Sequence, residues 1–450
     1  MYVYLDIDPI VPVNGGGSSS GNLSCTTDFS TTPGLPMRAD VRIYWTGNFI
    51  EYKLRDNSGN WGAANTAPAN VAQFTGTAGG TNREMFIRWD ALPGLTTRPP
   101  AFNWLGYETN LGSPDFIYDQ TPGRIASGAN GSTPYLAYYS TVSNTSATST
   151  TNPFGQESYT FPMGQTNNSF GAISVFDFTM NSAGQQISRG NTGGDWNIAG
   201  TLVVGAGALY FGSNTNNFGA TTAGNIRVTG GLLDMDFTTR TMNVAKNVLL
   251  NGGALKLSGN LGGDLAVGGD FTVNGGTFNP FNRPVTFNGT GAQTLSNAPN
   301  GTLGLVFDFL GFNNGTGPLA LGSNITVNRD AIFTNGVLTT GTFAVLLDPA
   351  NSFLTETNTS YINGLAQTSA TLGSGGAAPN NLHGIGLSIA PQNTSAAPGP
   401  TTVRRTTGTT LTGAGSSQSI SRYFTLTPTT TTGLDFQLVF TYFDHELNAA

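Results

Sequence analysis

The chain has 450 residues and a net charge of −7, and only 10% of its residues are charged, against roughly 25% in an average soluble protein. Its 18 Lys+Arg form no basic cluster that would track a phosphate backbone, which excludes nucleic acid as a partner. A disordered chain is excluded too, because 38% hydrophobic residues, with 28 Phe and 14 Tyr, supply a large core; 62 glycines then point to short strands joined by turns, an all-β fold.

The first residues, "MYVYLDIDP", begin at once with strand-like alternation and lack the basic and apolar regions of a signal peptide. No stretch approaches the ~20 apolar residues of a membrane span. The last residues, "FQLVFTYFDHELNAA", stop just after another alternating strand. Both ends read as cuts within a longer precursor.

Residues 1–160 read as a β-sandwich, incomplete at its N-terminus. "YVYLDIDP", "RADVRIYWTGNFIEYKL", "REMFIRWDAL" and "AFNWLGYETN" alternate or run apolar between Pro, Gly, Asn and Ser turns. "VRIYW-TGN-FIEYKL" predicts a hairpin with Thr46, Gly47 and Asn48 as its loop. Trp45, Trp61, Trp89 and Trp104, with Tyr52 and Tyr107, are candidates for stacking on sugar rings, the competing reading being core packing. Asp6 and Asp8 share a strand face, with Asn14 following, and are candidate ligands of a structural calcium ion. No other cofactor is expected. Cys25, the one cysteine, has neither His nor Lys among its neighbours "NLSCTTDFS", and reads as a small structural residue. Residues 140–156 have linker composition.

Residues 161–355 read as a parallel β-helix or β-solenoid. "GTLVVGAGALYF", "GNIRVTGGLLDM", "KNVLLNGGALKL" and "GDFTVNGGTFNP" share one template, and its first apolar position falls on Leu202, Ile226, Val248 and Phe271, 24, 22 and 23 residues apart. A later copy begins its apolar series at Ile325. Near-constant steps suit stacked coils that bury equivalent side chains on one another. The stretch "GGDLAVGGDFTVNGG" (262–276) raises the question of calcium loops. The Gly-Gly pair that should precede G-x-D in such repeats is missing, so its glycines are expected to take positive φ at coil corners and its aspartates to bond nearby amides. Asp234 and Asp236 in "LLDMDF" share a strand face at i, i+2 near Arg240, the best catalytic candidate here. Few other charges stand close by, so an outward solvated pair is the favoured reading.

Residues 356–450 read as a second, partial β-sandwich, truncated at its C-terminus, from "HGIGLSIAP", "TTVRRTTGTTLTG", "SISRYFTLTP" and "LDFQLVFTYFDHEL". His383 reads as a loop residue before a strand. His445, between Asp444 and Glu446, has the residue types of a metal or acid–base cluster, but neighbours on a strand point to opposite faces and cannot converge.

The runs "GGDLAVGGDFTVNGGTFNPFNRPVTFNGTGAQTLS" (262–296) and "SNITVNRDAIFTNGVLTTGTFAVLL" (323–347) resemble repeat regions of very large secreted and surface proteins of Bacteroidota-type bacteria, substrates of the type IX secretion system. "SISRYFTLTPTTTTGLDFQLVFTYFDHELNA" (419–449) resembles the module those proteins carry ahead of a C-terminal sorting domain, and the first domain is similar to their N-terminal sandwich, itself like carbohydrate-binding modules. The resemblance implies export to the cell surface or medium and a non-enzymatic role in adhesion, surface layers or filaments. Second copies of the chain or surface glycans are the partners to expect. The family supplies no catalytic residues. A carbohydrate-binding array and a polysaccharide-cleaving β-helix enzyme using Asp234 and Asp236 are the rival readings.

Overall fold

In the computed structural model the described residues are 1–7, 25–26, 34–35, 39–47, 49–56, 60–75, 83–92, 95–99, 102–110, 113–121, 138–140, 158–161, 168–170, 173–175, 177–189, 195–211, 221–297, 305–412 and 418–447. They are almost entirely strand, with a central parallel β-solenoid of about seven turns and separate antiparallel sheets at the ends. No helix among them is long and apolar enough to cross a membrane. The chain forms two compact units, Met1–Gly219 with Arg227–Leu233, and Ala220–Ile226 with Asp234–Ala450.

In the first unit, strand Tyr2–Asp6 lies antiparallel between Val41–Thr46 and Asn103–Asn110. Alternation sends Val3 and Leu5 to a core shared with Val41, Ile43, Tyr52, Val71 and Leu92. The expected hairpin forms, but Thr46 pairs with Phe49. The loop therefore shortens to positions 47 and 48, opened by Gly47 at φ 52°. Strand Tyr138–Ser140 then pairs with Asn103–Asn110 on one side and Ser158–Phe161 on the other. The latter strand pairs parallel with Phe178–Arg189, and here the sheet changes from antiparallel to parallel. Phe178 stands opposite Leu202 in the following coil. Trp196, the fifth tryptophan, is fully buried with Phe178 and Phe211 rings 5.1 Å to either side. Most of residues 140–156, the expected linker, lies outside the described residues.

In the second unit the coils stack as three columns. One runs Met242, Leu265, Val285, Leu310, Ala331, Leu354. A second runs Val248, Phe271, Leu295, Leu321, and a third Leu305, Ile325, Val345, Ala366. All these residues are buried, and each large apolar side chain so buried stabilises the stack by about 1.5–3 kcal/mol. The Val248–Phe271 pairing is the register the repeat template predicts. Ile325 is a correction: it stands in the third column, while the column of Phe271 continues through Leu295 to Leu321. A period of roughly one coil fixes that a residue stacks, but not on which of three sides.

A row of polar acceptors stitches one corner of the stack. Asn225 Oδ1 accepts from the Asn247 amide (3.3 Å), Asn247 Oδ1 from the Asp270 amide (2.8 Å) and Asp270 Oδ1 from the Thr294 amide (2.7 Å). In the first unit Asp177 Oδ1 accepts likewise from the Thr201 amide at 2.7 Å. Each of these residues immediately precedes the first apolar residue of its repeat. Asp270 does bond an amide, but in the next coil, 24 residues on. Asp264 does not follow it, as its Oδ1 is buried with no hydrogen-bond partner among the described residues.

The glycines of that stretch divide the same way. Gly262 has φ 87°, as expected of a corner. Gly263, Gly268 and Gly269 do not have positive φ; they are required by proximity. A Cβ on Gly268 would stand 2.4 Å from the Ala245 carbonyl oxygen of the coil before it.

The last coil ends in Ser360–Leu372, which pairs parallel with Asp330–Leu347 and antiparallel with Gly399–Thr407, itself paired with Arg422–Pro428. A short 3-10 turn, Leu382–Gly384, packs on Phe353–Thr355 and buries Leu382 and Ile385 there. Strands Leu387–Pro391 and Phe436–Phe440 form a separate antiparallel pair.

We expect Asn247→Ala to cost about 0.5–1.5 kcal/mol, one stitched hydrogen bond. Gly268→Ala should cost more, about 1–3 kcal/mol, because backbone must move. Urea midpoints of the two variants should rank in that order.

Candidate functional site

The tryptophans do not form one platform. Trp104 stands opposite Leu5 and packs on the core of the first unit, as does Trp89, whose ring lies 5.4 Å from Phe102. Trp45, next to last in its strand, stands opposite Ile50 and donates from Nε1 to the Gly47 carbonyl at 3.3 Å. Trp61 lies on the other face of the sheet, edge-on to the buried Tyr4 at 5.9 Å. The Tyr107 backbone pairs with Tyr2, but its side chain lies outside the described residues. So do Asp8 and Asn14. Asp6 is fully buried. Among the described residues no group of three or more His, Cys, Asp or Glu side chains is arranged to hold a metal ion.

The face that carries Trp61 has a feature the sequence hides. Arg42 is fully buried there, 2.5 Å from Glu51, with its guanidinium 5.8 and 5.9 Å from the Tyr2 and Tyr44 rings, which themselves stack at 4.7 Å. In "VRIYW" Arg42 occupies an alternating position that normally faces water. The available signal was Tyr44 two positions on in the same strand and Tyr2 and Tyr4 at alternate positions of the neighbouring one, a surface that can shelter a guanidinium.

Asp234 and Asp236 are not an outward pair. Strand Leu232–Asp234 ends at Asp234, which is buried. The chain then turns, placing Asp236 at φ 44°. Asp234 Oδ2 holds Lys256 Nζ at 2.9 Å and Oδ1 accepts from the Asp236 amide at 2.8 Å. The Lys256 ammonium also lies 5.1 Å from the Phe281 ring. Burial pushes the Asp236 carboxyl above the ordinary carboxylate range; the Asp234 charge adds to this and Lys256 opposes it. The result is one carboxylate neutralised in an ion pair and one strained turn residue, without a second group placed for acid–base transfer.

The stack has an uncharged groove of about 350 Å³, lined by Thr222, Ala223, Asn243, Ala266, Asn288 and Thr290 among others. Thr222, Asn243, Ala266 and Thr286 are successive partners across four coils. The small Ala266 in that row makes the hollow. Its walls can hydrogen-bond a neutral ligand but hold no group that titrates near neutral pH.

Two ion pairs are buried in the last residues of the second unit. Arg405 meets Glu356 at 2.5 and 2.7 Å, and Arg422 meets Glu446 at 2.6 Å and the Thr441 carbonyl at the same distance. Burial alone would raise the Glu356 pKa, but the Arg405 charge, its hydrogen bonds and the Ile362 amide hold it below the ordinary range. Burial lowers the Arg422 pKa, with nearby Arg405 adding to the effect and Glu446 and Glu356 opposing it. His445 is not on a strand: Asp444–Glu446 is a 3-10 turn. Its ring stacks on Tyr361 at 3.8 Å and meets Asn358 Oδ1 at 3.1 Å. Glu446 Oε1, which holds Arg422, also lies 3.7 Å from His445 Nε2, so these two neighbours do approach, as a strand would not allow. His383 Nδ1 lies 2.9 Å from the Ser352 carbonyl. Both histidines hold turns against the last coil.

Because the Glu356 pKa is depressed in the folded state, its stabilisation is complete above the ordinary carboxylate range and is lost as pH falls through the depressed value. Glu356→Gln should therefore cost about 3–5 kcal/mol at neutral pH, with the two proteins converging in acid, as read by thermal unfolding across pH. Asp236→Asn has the opposite sign. Its raised carboxyl pKa destabilises the folded state as pH rises through it, so the variant should gain a few tenths of a kcal/mol at neutral pH and nothing in acid.

Comparisons with family models, curated proteins and solved structures found no match to this chain.

Proposed function

We propose that this chain is a non-enzymatic extracellular structural or adhesive surface protein whose coils serve as an inert spacer between the antiparallel modules. One observation carries the reading: many of the acidic and amide side chains along the described coils join coil to coil. Asp177, Asn225, Asn247 and Asp270 bond the amide of the next coil, Asp234 holds Lys256, and Asp308 accepts from the Asn282 amide and from Asn328 Nδ2. A polysaccharide-cleaving β-helix needs some of these groups turned outward and free to move protons. The resemblance to exported repeat proteins supports the extracellular placement.

Two measurements test it. Purified protein should release no reducing or unsaturated ends from a panel of neutral and acidic polysaccharides. Release that Asp234→Asn abolishes would overturn the reading. An antibody raised to the chain should label the surface or medium of the producing cells, and labelling confined to the cytoplasm would be equally damaging.

Glycan binding is the second reading, favoured by the incompletely buried rings of Tyr44, Phe49 and Trp61 on one face of the first module. Trp61→Ala should then abolish binding to a glycan array, while Trp89→Ala should act only through stability.

A further inference from the structure

Strand Phe436–Phe440 is the outer edge of its two-stranded sheet. Thr441 and Asp435 direct backbone groups at Gly386 and Gln392 of the partner segment, at 2.8 and 2.9 Å. Alternation along an antiparallel pair therefore turns the amides and carbonyls of Phe436, Leu438 and Phe440 away from that partner. On the partner strand Ile389, opposite Leu438, follows the same rule and uses its outward groups to pair with Asn380. Among the described residues nothing pairs with the outward groups of the outer strand. Its side chains are half exposed as well: Leu438, Val439, Phe440 and Tyr442 are 40, 53, 52 and 49% exposed, with Phe440 lying 5.7 Å from the Phe424 ring.

Proteins usually blunt such an edge with Lys, Pro or a bulge. Residues 436–443, "FQLVFTYF", contain neither Lys nor Pro, and the pairing with Leu387–Pro391 is free of register shifts.

We propose that this edge pairs with the same strand of a second copy, antiparallel about a two-fold axis at Leu438. The strand is complementary to itself. With Leu438 opposite Leu438, Phe436 falls opposite Phe440 and the reverse, so every outward amide and carbonyl of the three residues meets a partner, about six hydrogen bonds in all. The cross-strand side-chain pairs are then Phe with Phe and Leu with Leu, which are favourable, and Gln437 with Val439. Asp435, the one charged residue in 432–443, falls opposite Thr441, so no like charges meet. An isologous two-fold contact also closes on itself and stops at a dimer. The contact gives the proposed surface protein a defined partner, but does not depend on that role.

Sedimentation velocity of the intact chain over a range of concentrations tests it. The parent should show a reversible monomer–dimer equilibrium. Leu438→Lys, which sets two ammonium groups against each other at the axis, should weaken dimerisation on the order of a hundredfold and leave the thermal unfolding of the monomer unchanged. Should that variant fail to fold, Leu438→Cys in a Cys25→Ser background decides the matter, since paired Cα atoms about 5.5 Å apart are within disulfide reach and mild oxidation should yield a cross-linked dimer. A parent that is monomeric at every concentration, a dimer indifferent to Leu438→Lys, or a cysteine variant that does not cross-link would overturn the proposal. A monomer would leave the scaffold reading intact, and polysaccharide cleavage would leave the dimer intact.

Discussion

Parallel coils separated by one strand spacing, about 4.8 Å, leave no room for a corner that is unfriendly to the coil below. At each corner the backbone must leave the ladder, and its amides then need acceptors that the strands no longer supply. Asn225, Asn247 and Asp270 provide them from one coil to the next, and Gly268 and Gly269 permit the approach by having no Cβ. Between the corners, residues of one type stack on their own kind. Asn274 donates to Asn251 at 3.0 Å, Ser296 to Thr272 at 3.2 Å, and the Phe312 ring stacks between Phe287 and Phe333. Low charge follows from the same geometry, since like charges stacked one strand apart would repel along the whole column.

Several of the charges are placed with a partner. Lys256 sits between Asp234 and the Phe281 ring, Arg42 between Glu51 and two tyrosines, and Arg405 and Arg422 each against a buried glutamate. Such pairs do little for net stability compared with apolar packing, but removing one member is costly. They specify which segments meet: Glu356 precedes the last coil strand and Arg405 lies 49 residues on.

The architecture was legible because burial repeats at the coil length, as Val248 and Phe271 show. Three things were not. Ile325 has the right type for any column, and only its pairing with Leu305 and Val345 places it. Asp234 and Asp236 look like a strand-face pair because the letters do not reveal that the strand stops between them. The buried amides of Gln293 and Asn314, which bond the Val267, Gly269 and Gly291 carbonyls and each other, look in sequence like ordinary surface residues. In each case the deciding contact comes from a neighbouring coil, some 20 residues away. The tryptophans were conspicuous, yet two of the four pack on the core, where their size is sufficient reason for their presence.

Ser360–Leu372 belongs at once to the parallel stack and to the antiparallel sheet beyond it. Peeling it from either neighbour exposes the other, so the coil end and the terminal sheet should melt as one cooperative block. A repeat array ordinarily frays from its termini inward. Here the outermost rung is anchored from outside, which confers on that extremity a kinetic resistance to proteolysis that exposed terminal repeats lack.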